Sequence, residues 1–243
     1  MQEPEFQTGV IKPIECVREA WGLIKKDYWL LIGISIVGAM VGALTVYVLI
    51  GAMICGIFTC YFKCIDGEKV VFDDLWAGMK FFRPSLGVTI AIIGPLVAWI
   101  LTMFVTLYLP LITTAMLGTK ADDSTLLATF GVGLAVDVAV AIVMVGFHSL
   151  LIFCFPLIVD RGMSSWESMK LSARASLKNM GGIGGMILIN MLLAFLGELV
   201  FCIGIYLMIP LITAANLVAY RKVFPSPHKR NFDPPPPGAY AGI

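Results

Sequence analysis

Tyr28–Phe62 reads YWLLIGISIVGAMVGALTVYVLIGAMICGIFTCYF, 35 residues without a single charge. As one straight helix it would be about 52 Å long at 1.5 Å per residue, while the hydrocarbon core of a bilayer is only about 30 Å thick. The flanking charges decide how the excess is used. Lys25 and Lys26 precede the run, and Lys63, Lys69, Lys80 and Arg83 follow it. A hairpin puts both basic groups on one side of a membrane, as the positive-inside rule prefers, and a single long helix does not. The stretch therefore reads as two short spans joined by a turn.

The same logic extends outward. Met180–Tyr220 has Arg174 and Lys178 before it, Arg221 and Lys222 after it, and Glu198 near its middle, placed for an external turn. Between the two hairpins lie the apolar runs Pro84–Thr119 and Thr125–Val159, the second interrupted by Asp137 and His148, and the polar stretch Gly118–Ser124 joins them. The expected fold is an all-α, polytopic transmembrane bundle of six spans with both termini cytoplasmic. In that arrangement only Lys120, of 17 Lys and Arg residues, lies outside.

Composition agrees. Hydrophobic residues make up 59% of the chain and charged residues 14%, with a mean hydropathy of +0.91, where a soluble domain carries about 25% charged residues. A net charge of +1 gives no electrostatic footprint for nucleic acid. Met1–Asp27 has no apolar core before a small-residue cleavage site, so no cleavable signal is expected. Residues 1–224 read as a single transmembrane domain. The tail 225–243, with Lys229-Arg230 and then Pro234–Pro237, reads as a disordered, basic, Pro-rich cytoplasmic segment.

An internal duplication is expected, with units of about 13–63 and 165–221. Laid over 166–180, residues 14–28 place Glu15 on Glu167, Arg18 on Lys170, Lys26 on Lys178 and Asp27 on Asn179. The apolar positions Ile14, Val17, Trp21 and Tyr28 fall on Trp166, Met169, Ala173 and Met180. Spacings of three and four define one helical face, so each copy reads as an amphipathic interfacial helix leading into a hairpin. Pro13 suits a first helical turn, and Ser164 with Glu167 has capping-box spacing. A third amphipathic helix is expected over Phe72–Arg83, with Phe72, Leu75, Trp76 and Met79 on one face.

Asp137 is the sharpest candidate for chemistry. Ionisable side chains inside spans are costly and are functional suspects by default. The plain alternative is a protonated or hydrogen-bonded acid tying two helices together, and both readings stay open. His148, eleven residues on, returns to nearly the same face about 16 Å along the axis, too far for direct contact with Asp137. Gly38 and Gly42, and Gly181 and Gly185, have the small-xxx-small spacing that permits close helix packing. Asn190, Thr102 and Thr106 are candidates for interhelical hydrogen bonds, and Pro110 and Pro210 for kinks or breaks.

Six cysteines (Cys16, Cys55, Cys60, Cys64, Cys154, Cys202) lack metal-ligand spacing and read as small buried hydrophobes, so neither metal nor cofactor is expected. No H-E-x-x-H, G-x-S-x-G or Walker loop is present, and no enzymatic activity is expected.

Three stretches carry a family resemblance. They are Phe155–Glu167 (FPLIVDRGMSSWE) continuing through Ser172 and Asn179, Pro210–Lys222 (PLITAANLVAYRK), and Phe72–Phe82 (FDDLWAGMKFF). Together they resemble the uncharacterised bacterial YciC-like integral membrane proteins, a group similar to the membrane domain attached to some glycerophosphodiester phosphodiesterases. The resemblance implies a bacterial cytoplasmic membrane and brings no catalytic residues, since the soluble catalytic domain of those enzymes has no counterpart here. The expected role is a structural or accessory subunit whose partners are the lipid bilayer and other membrane subunits or further copies of itself. The alternative is a small proton- or ion-coupled transporter component using Asp137.

Overall fold

The computed structural model describes residues 6–117, 123–199 and 204–225, and they are helical with short connections. In chain order the helices are α1 (Pro13–Ile24), α2 (Tyr28–Leu44), α3 (Ile50–Asp66), a 3-10 helix (Phe72–Phe81), α4 (Phe82–Met103), a π-helical turn (Phe104–Tyr108), α5 (Leu109–Leu117), α6 (Asp123–Leu150), α7 (Cys154–Arg161), α8 (Ser165–Lys178), α9 (Met180–Glu198) and α10 (Gly204–Val223). Residues 1–5, 118–122, 200–203 (with Cys202) and 226–243 lie outside the described residues, and with them most of the expected Pro-rich tail.

Among the described residues, four stretches are long and apolar enough to cross a bilayer: Phe72–Thr114, Leu127–Arg161, Met180–Glu198 and Gly204–Val223. A fifth arises only if α1 and α2, bent by 101° at their junction, are taken as one broken span. The stretch Tyr28–Phe62 does fold as a hairpin, α2 and α3, of 17 residues each. At 1.5 Å per residue each arm is about 26 Å long, short of the hydrocarbon thickness.

The chain divides into two compact units. The first is Met1–Ile36, Cys60–Phe72 and Leu177–Ile243. Here α1 packs along α10, turning Cys16, Ala20 and Ile24 toward the buried residues Ala214, Ala215, Val218 and Ala219. Small side chains on both helices let the backbones approach closely. α9 pairs with α10, and Asn190 Nδ2 donates to Asn216 Oδ1 across them at 2.9 Å, one of the interhelical bonds expected from sequence. At the charged end Arg221 bonds Asp66 at 2.7 Å while its guanidinium lies 4.4 Å from the centre of the Phe62 ring. Lys222 reaches Glu19 at 3.1 Å.

Asn179 does more here than begin α9. Its side chain accepts from Gly9 N–H at 2.8 Å and donates to Gln7 O at 3.1 Å, and Gln7 N–H donates to Val223 O at 2.8 Å. The segment before α1 is thus tied to the start of α9 and the end of α10.

The second unit is Val37–Thr59 and Asp73–Ser176. Its apolar centre gathers Cys55, Val88, Leu151, Cys154, Phe155 and Ile158. Between α6 and α7 the chain breaks at Leu151–Phe153, where Ser172 of α8 donates to Leu150 O at 2.6 Å and accepts from Phe153 N–H at 3.2 Å. Ser165 Oγ donates to Pro84 O at 2.7 Å, fixing the start of α8 on the start of α4.

The segment 72–83 differs from its expectation. Phe72–Phe81 is a 3-10 helix, and the α-helix begins only at Phe82. With three residues per turn, i and i+3 eclipse, and the residues turned inward are Leu75 and Gly78, leaving Trp76 and Met79 exposed. Gly78 meets Gly56 of α3 so closely that a Cβ on Gly78 would stand 2.7 Å from the Gly56 Cα and closer still to Ala52 O.

Candidate functional site

The two long apolar stretches meet inside the second unit as an antiparallel pair, α4 through α5 against α6. Two side-chain bonds set their register. His148 Nε2 lies 3.1 Å from Ile92 O, and Thr106 Oγ1 lies 3.0 Å from Asp137 Oδ2. Asp137 and His148 therefore face the same neighbour, as their spacing predicts, and are not brought together.

Asp137 sits near the middle of α6 and is only 6% exposed. One carboxyl oxygen contacts Thr106, and the other, Oδ1, is buried without a hydrogen-bond partner. The opposing helix is irregular at this point for a reason visible in the chain. Pro110 has no N–H to give Thr106 O, its partner four residues back. The ladder slips to the wider π pattern, with Leu109 N–H bonding Phe104 O. The Thr106 carbonyl freed in this way faces Gly133, where a Cβ would stand 2.8 Å from it. Gly133 is one helical turn before Asp137, so the glycine that admits the carbonyl and the acid that meets the hydroxyl share a face.

Beside this contact an open cleft of about 450 Å³ is lined by Val105, Thr106, Pro110, Ala128, Thr129, Val132, Gly133 and Val136. Asp137 is not among the lining residues, although its partner Thr106 is. His148 closes the other end of the pair: its Nδ1 lies 2.8 Å from Met144 O while Nε2 faces Ile92 O, one turn before Pro95. Thr102 bonds only within its own helix, to Ala98 O at 3.0 Å.

Of the four packing glycines, three are in contact. A Cβ on Gly38 would meet Ile57 at 2.9 Å, one on Gly42 would meet the Ile50 backbone at 3.1 Å, and one on Gly185 would meet Pro13 at 2.6 Å. Gly181 faces open space, and its neighbour Gly182 takes the packing role, against Ile11 at 2.5 Å. The approach of Gly56 to Leu75 and Gly78 is closer still, and it has no small-xxx-small spacing to announce it because these residues lie on different elements.

The two amphipathic helices bury a different face from the one their periodicity marks. α1 leaves Ile14 69% exposed and Trp21 exposed, and α8 leaves Trp166 65% exposed with Leu177 outward. What α8 turns inward is Ser168, Leu171, Ser172, Ala175 and Ser176. Both helices thus turn mostly small residues toward the protein, beside Ile24 and Leu171, and leave the bulky Trp21 and Trp166 outward. Basic side chains lie beside them: Lys170 is over the Trp166 ring at 5.6 Å. Ser164 and Glu167 form the expected capping box, with the Ser164 hydroxyl donating to Glu167 Oε2 at 2.7 Å and Ser164 N–H at 3.2 Å. Those bonds favour the charged form and hold the Glu167 carboxyl below its ordinary range, the hydroxyl acting most strongly. Cys16, Cys55, Cys60, Cys64 and Cys154 are buried and outside any disulfide.

No protein family, curated protein or solved structure matches the chain. Its class is defined by the helices themselves: several apolar helices of membrane-crossing length, the make-up of a multi-pass membrane protein.

Proposed function

We propose that this chain is a non-enzymatic structural or accessory subunit of a membrane complex, held in the bacterial cytoplasmic membrane with both termini on the cytoplasmic side. The observation that carries the reading is the state of Asp137. It is buried and bonded to Thr106 of the neighbouring helix, and it is not among the residues that line the adjacent cleft. An acid used to join two spans needs a partner helix, whereas an acid that exchanges protons with solvent needs an open path. The large apolar surface of the α4–α6 pair, with Ile100, Leu101, Val138, Ile142 and Val143 all exposed, suits lipid and the spans of other subunits or of further copies.

The location and orientation rest on the resemblance to the YciC-like membrane proteins and on the charge distribution. The number of crossings is even, six if α2 and α3 each cross and four if neither does. Either count leaves Lys120 as the one basic residue outside. The duplicated interfacial-helix-plus-hairpin reading belongs to the same proposal, supported by α1 and α8 each ending within a few residues of an apolar helix.

The second reading, a transporter component, is favoured by one observation: Asp137 Oδ1 is buried without a partner near the middle of a span. Purification from native membranes in mild detergent separates the two. The subunit reading expects a partner at fixed stoichiometry, or a defined homo-oligomer, unaltered by Asp137→Asn. Loss of proton or ion flux in proteoliposomes on Asp137→Asn, with assembly intact, would establish the transporter instead.

A further inference from the structure

The depth of the α2–α3 hairpin follows from what its tip touches within the second unit. Moving along α3 toward the tip, Gly56 meets Leu75 and Gly78 of the 3-10 helix, and Gly51 then meets Ser85 and Thr89 at the start of α4. The hairpin therefore points the way α4 grows, and at Gly51 it has reached only the second turn of that helix. From Thr89 to Leu117 the chain climbs about 42 Å further at 1.5 Å per residue, enough by itself to cross the hydrocarbon. The α4–α6 pair and the α2–α3 tip cannot both fill the thickness of one bilayer.

Charge gives the same answer independently. The 3-10 helix and the residues beside it carry Asp73, Asp74, Lys80 and Arg83, of which Asp73, Lys80 and Arg83 are exposed. If α3 crossed the membrane, its contact with Gly78 would carry these charges to the depth of Ala52 and Gly56, inside the hydrocarbon. If instead those charges mark the headgroup level, the turn about five residues beyond Ala52 projects about 8 Å past it. Shallowly inserted amphipathic elements reach about 5–10 Å below the headgroups.

The tip is made for that medium. Leu44 is 79% exposed and Val46 82% exposed, with Met40, Tyr47 and Val48 exposed beside them. The reversal uses left-handed backbone at two successive residues, Val46 (φ 52°) and Tyr47 (φ 63°). A turn in water places Gly, Asn or Asp at such positions, and a β-branched residue there is a rare choice. Bulky apolar side chains displayed on a strained turn are what acyl chains would cover.

We infer that α2–α3 is a re-entrant hairpin whose tip, Leu44–Val48, is buried in the acyl chains of the cytoplasmic leaflet and never reaches the outside. The inference rests on the reading of α4 through α7 as spans, and it reduces the crossings to four while leaving both termini on one side. The test is maleimide labelling of Leu44→Cys and Val48→Cys in the full chain, with Lys120→Cys and Lys69→Cys as references for the two faces. A membrane-impermeant reagent is applied to intact cells and to inside-out vesicles, and the unsubstituted chain sets the background of native thiols. Labelling of both tip positions should be at least tenfold below Lys120→Cys from outside and tenfold below Lys69→Cys from inside. A bimane attached at either position in detergent and then reconstituted should be quenched by lipids brominated on their acyl chains. Tip labelling within twofold of Lys120→Cys from outside means that the hairpin crosses, and labelling within twofold of Lys69→Cys from inside puts the tip in water. Either result overturns the inference. If Lys120→Cys labels only from the cytoplasmic face, it is the proposed orientation that fails, and the tip is judged by whether it labels with Lys120→Cys.

Discussion

Asp137 Oδ2 and the Thr106 hydroxyl lie 3.0 Å apart across two helices, and the same hydroxyl lies 3.0 Å from Thr102 O on its own helix. A hydroxyl has one hydrogen to give. If Asp137 is a carboxylate, the two acceptors compete for it. If the acid carries a proton, it donates to Thr106 Oγ1, and the hydroxyl keeps its bond to Thr102 O.

An amide satisfies the same pair of bonds, so Asp137→Asn should leave stability within about 0.5 kcal/mol of the parent. Asp137→Ala and Thr106→Val should each cost about 0.6–1.7 kcal/mol, the range for side-chain hydrogen bonds between membrane helices. The double variant should cost less than the sum, since both changes remove one interaction. Unfolding titrations in mixed micelles measure all four. An Asp137→Asn loss as large as that of Asp137→Ala would mean that the charge, not the bond, is what the site needs.

Glycines provide a sharper contrast. Ala at Gly78 or Gly56 would drive a Cβ into backbone atoms, which a side-chain rotation cannot relieve. Each substitution should cost at least about 1–3 kcal/mol, the range for overpacked cores. Gly184 lies on α9, and a methyl added there would meet nothing within 4 Å. Gly184→Ala should therefore be neutral or stabilising by up to about 1 kcal/mol through helix propensity. Thermal unfolding of the three purified variants checks the ordering.

That contrast also shows where the sequence was readable. Charge flanks and apolar length marked the hairpins at 28–62 and 180–220, and Ser164 with Glu167 marked the start of α8, because these signals are local. The 3-10 helix has no such local mark, since Phe72, Leu75, Trp76 and Met79 form a face only at 3.6 residues per turn. The Gly56–Gly78 contact joins residues on separate elements and has no periodicity to reveal it. For α1 and α8, periodicity identified a true apolar stripe and could not say which side faces protein. The small residues Cys16, Ala20 and Ala175 mark the side that packs closely. Asp137 was visible as an acid in an apolar run, whereas its partner depended on the register that Pro110 and the π-turn impose.

Asn179 makes a separate prediction about the N-terminal segment. Its amide uses both ends, accepting from Gly9 and donating to Gln7. Asn179→Ala removes both bonds and should cost about 1–3 kcal/mol, because partly buried backbone groups lose their partners. Asn179→Asp keeps the acceptor for Gly9 N–H and loses the donor, so it should fall between. Hydrogen exchange over residues 6–10 should accelerate in the order parent, Asp, Ala, with α9 itself unchanged. Equal exchange in all three would mean that the Gln7–Val223 bond alone holds the segment.

The capping box of α8 ties its first turn to pH. The Ser164 bonds hold the folded Glu167 carboxyl below its unfolded range. A depressed carboxyl contributes its stability in full above the unfolded value and loses it as the pH falls through the folded one. Glu167 is fully exposed on α8, so the effect is local to the helix start rather than global. Amide protection at the first turn, residues 165–168, should therefore hold from neutral pH down to the ordinary carboxylate range and decline on further acidification. Glu167→Gln keeps a side-chain acceptor for Ser164 N–H and has no charge to lose, so its protection should be weaker at neutral pH and flat on acidification. Hydrogen exchange followed across that range, with intrinsic rates corrected for pH, distinguishes the two. An acid-dependent loss of the same size in Glu167→Gln would show that the titration belongs to another group.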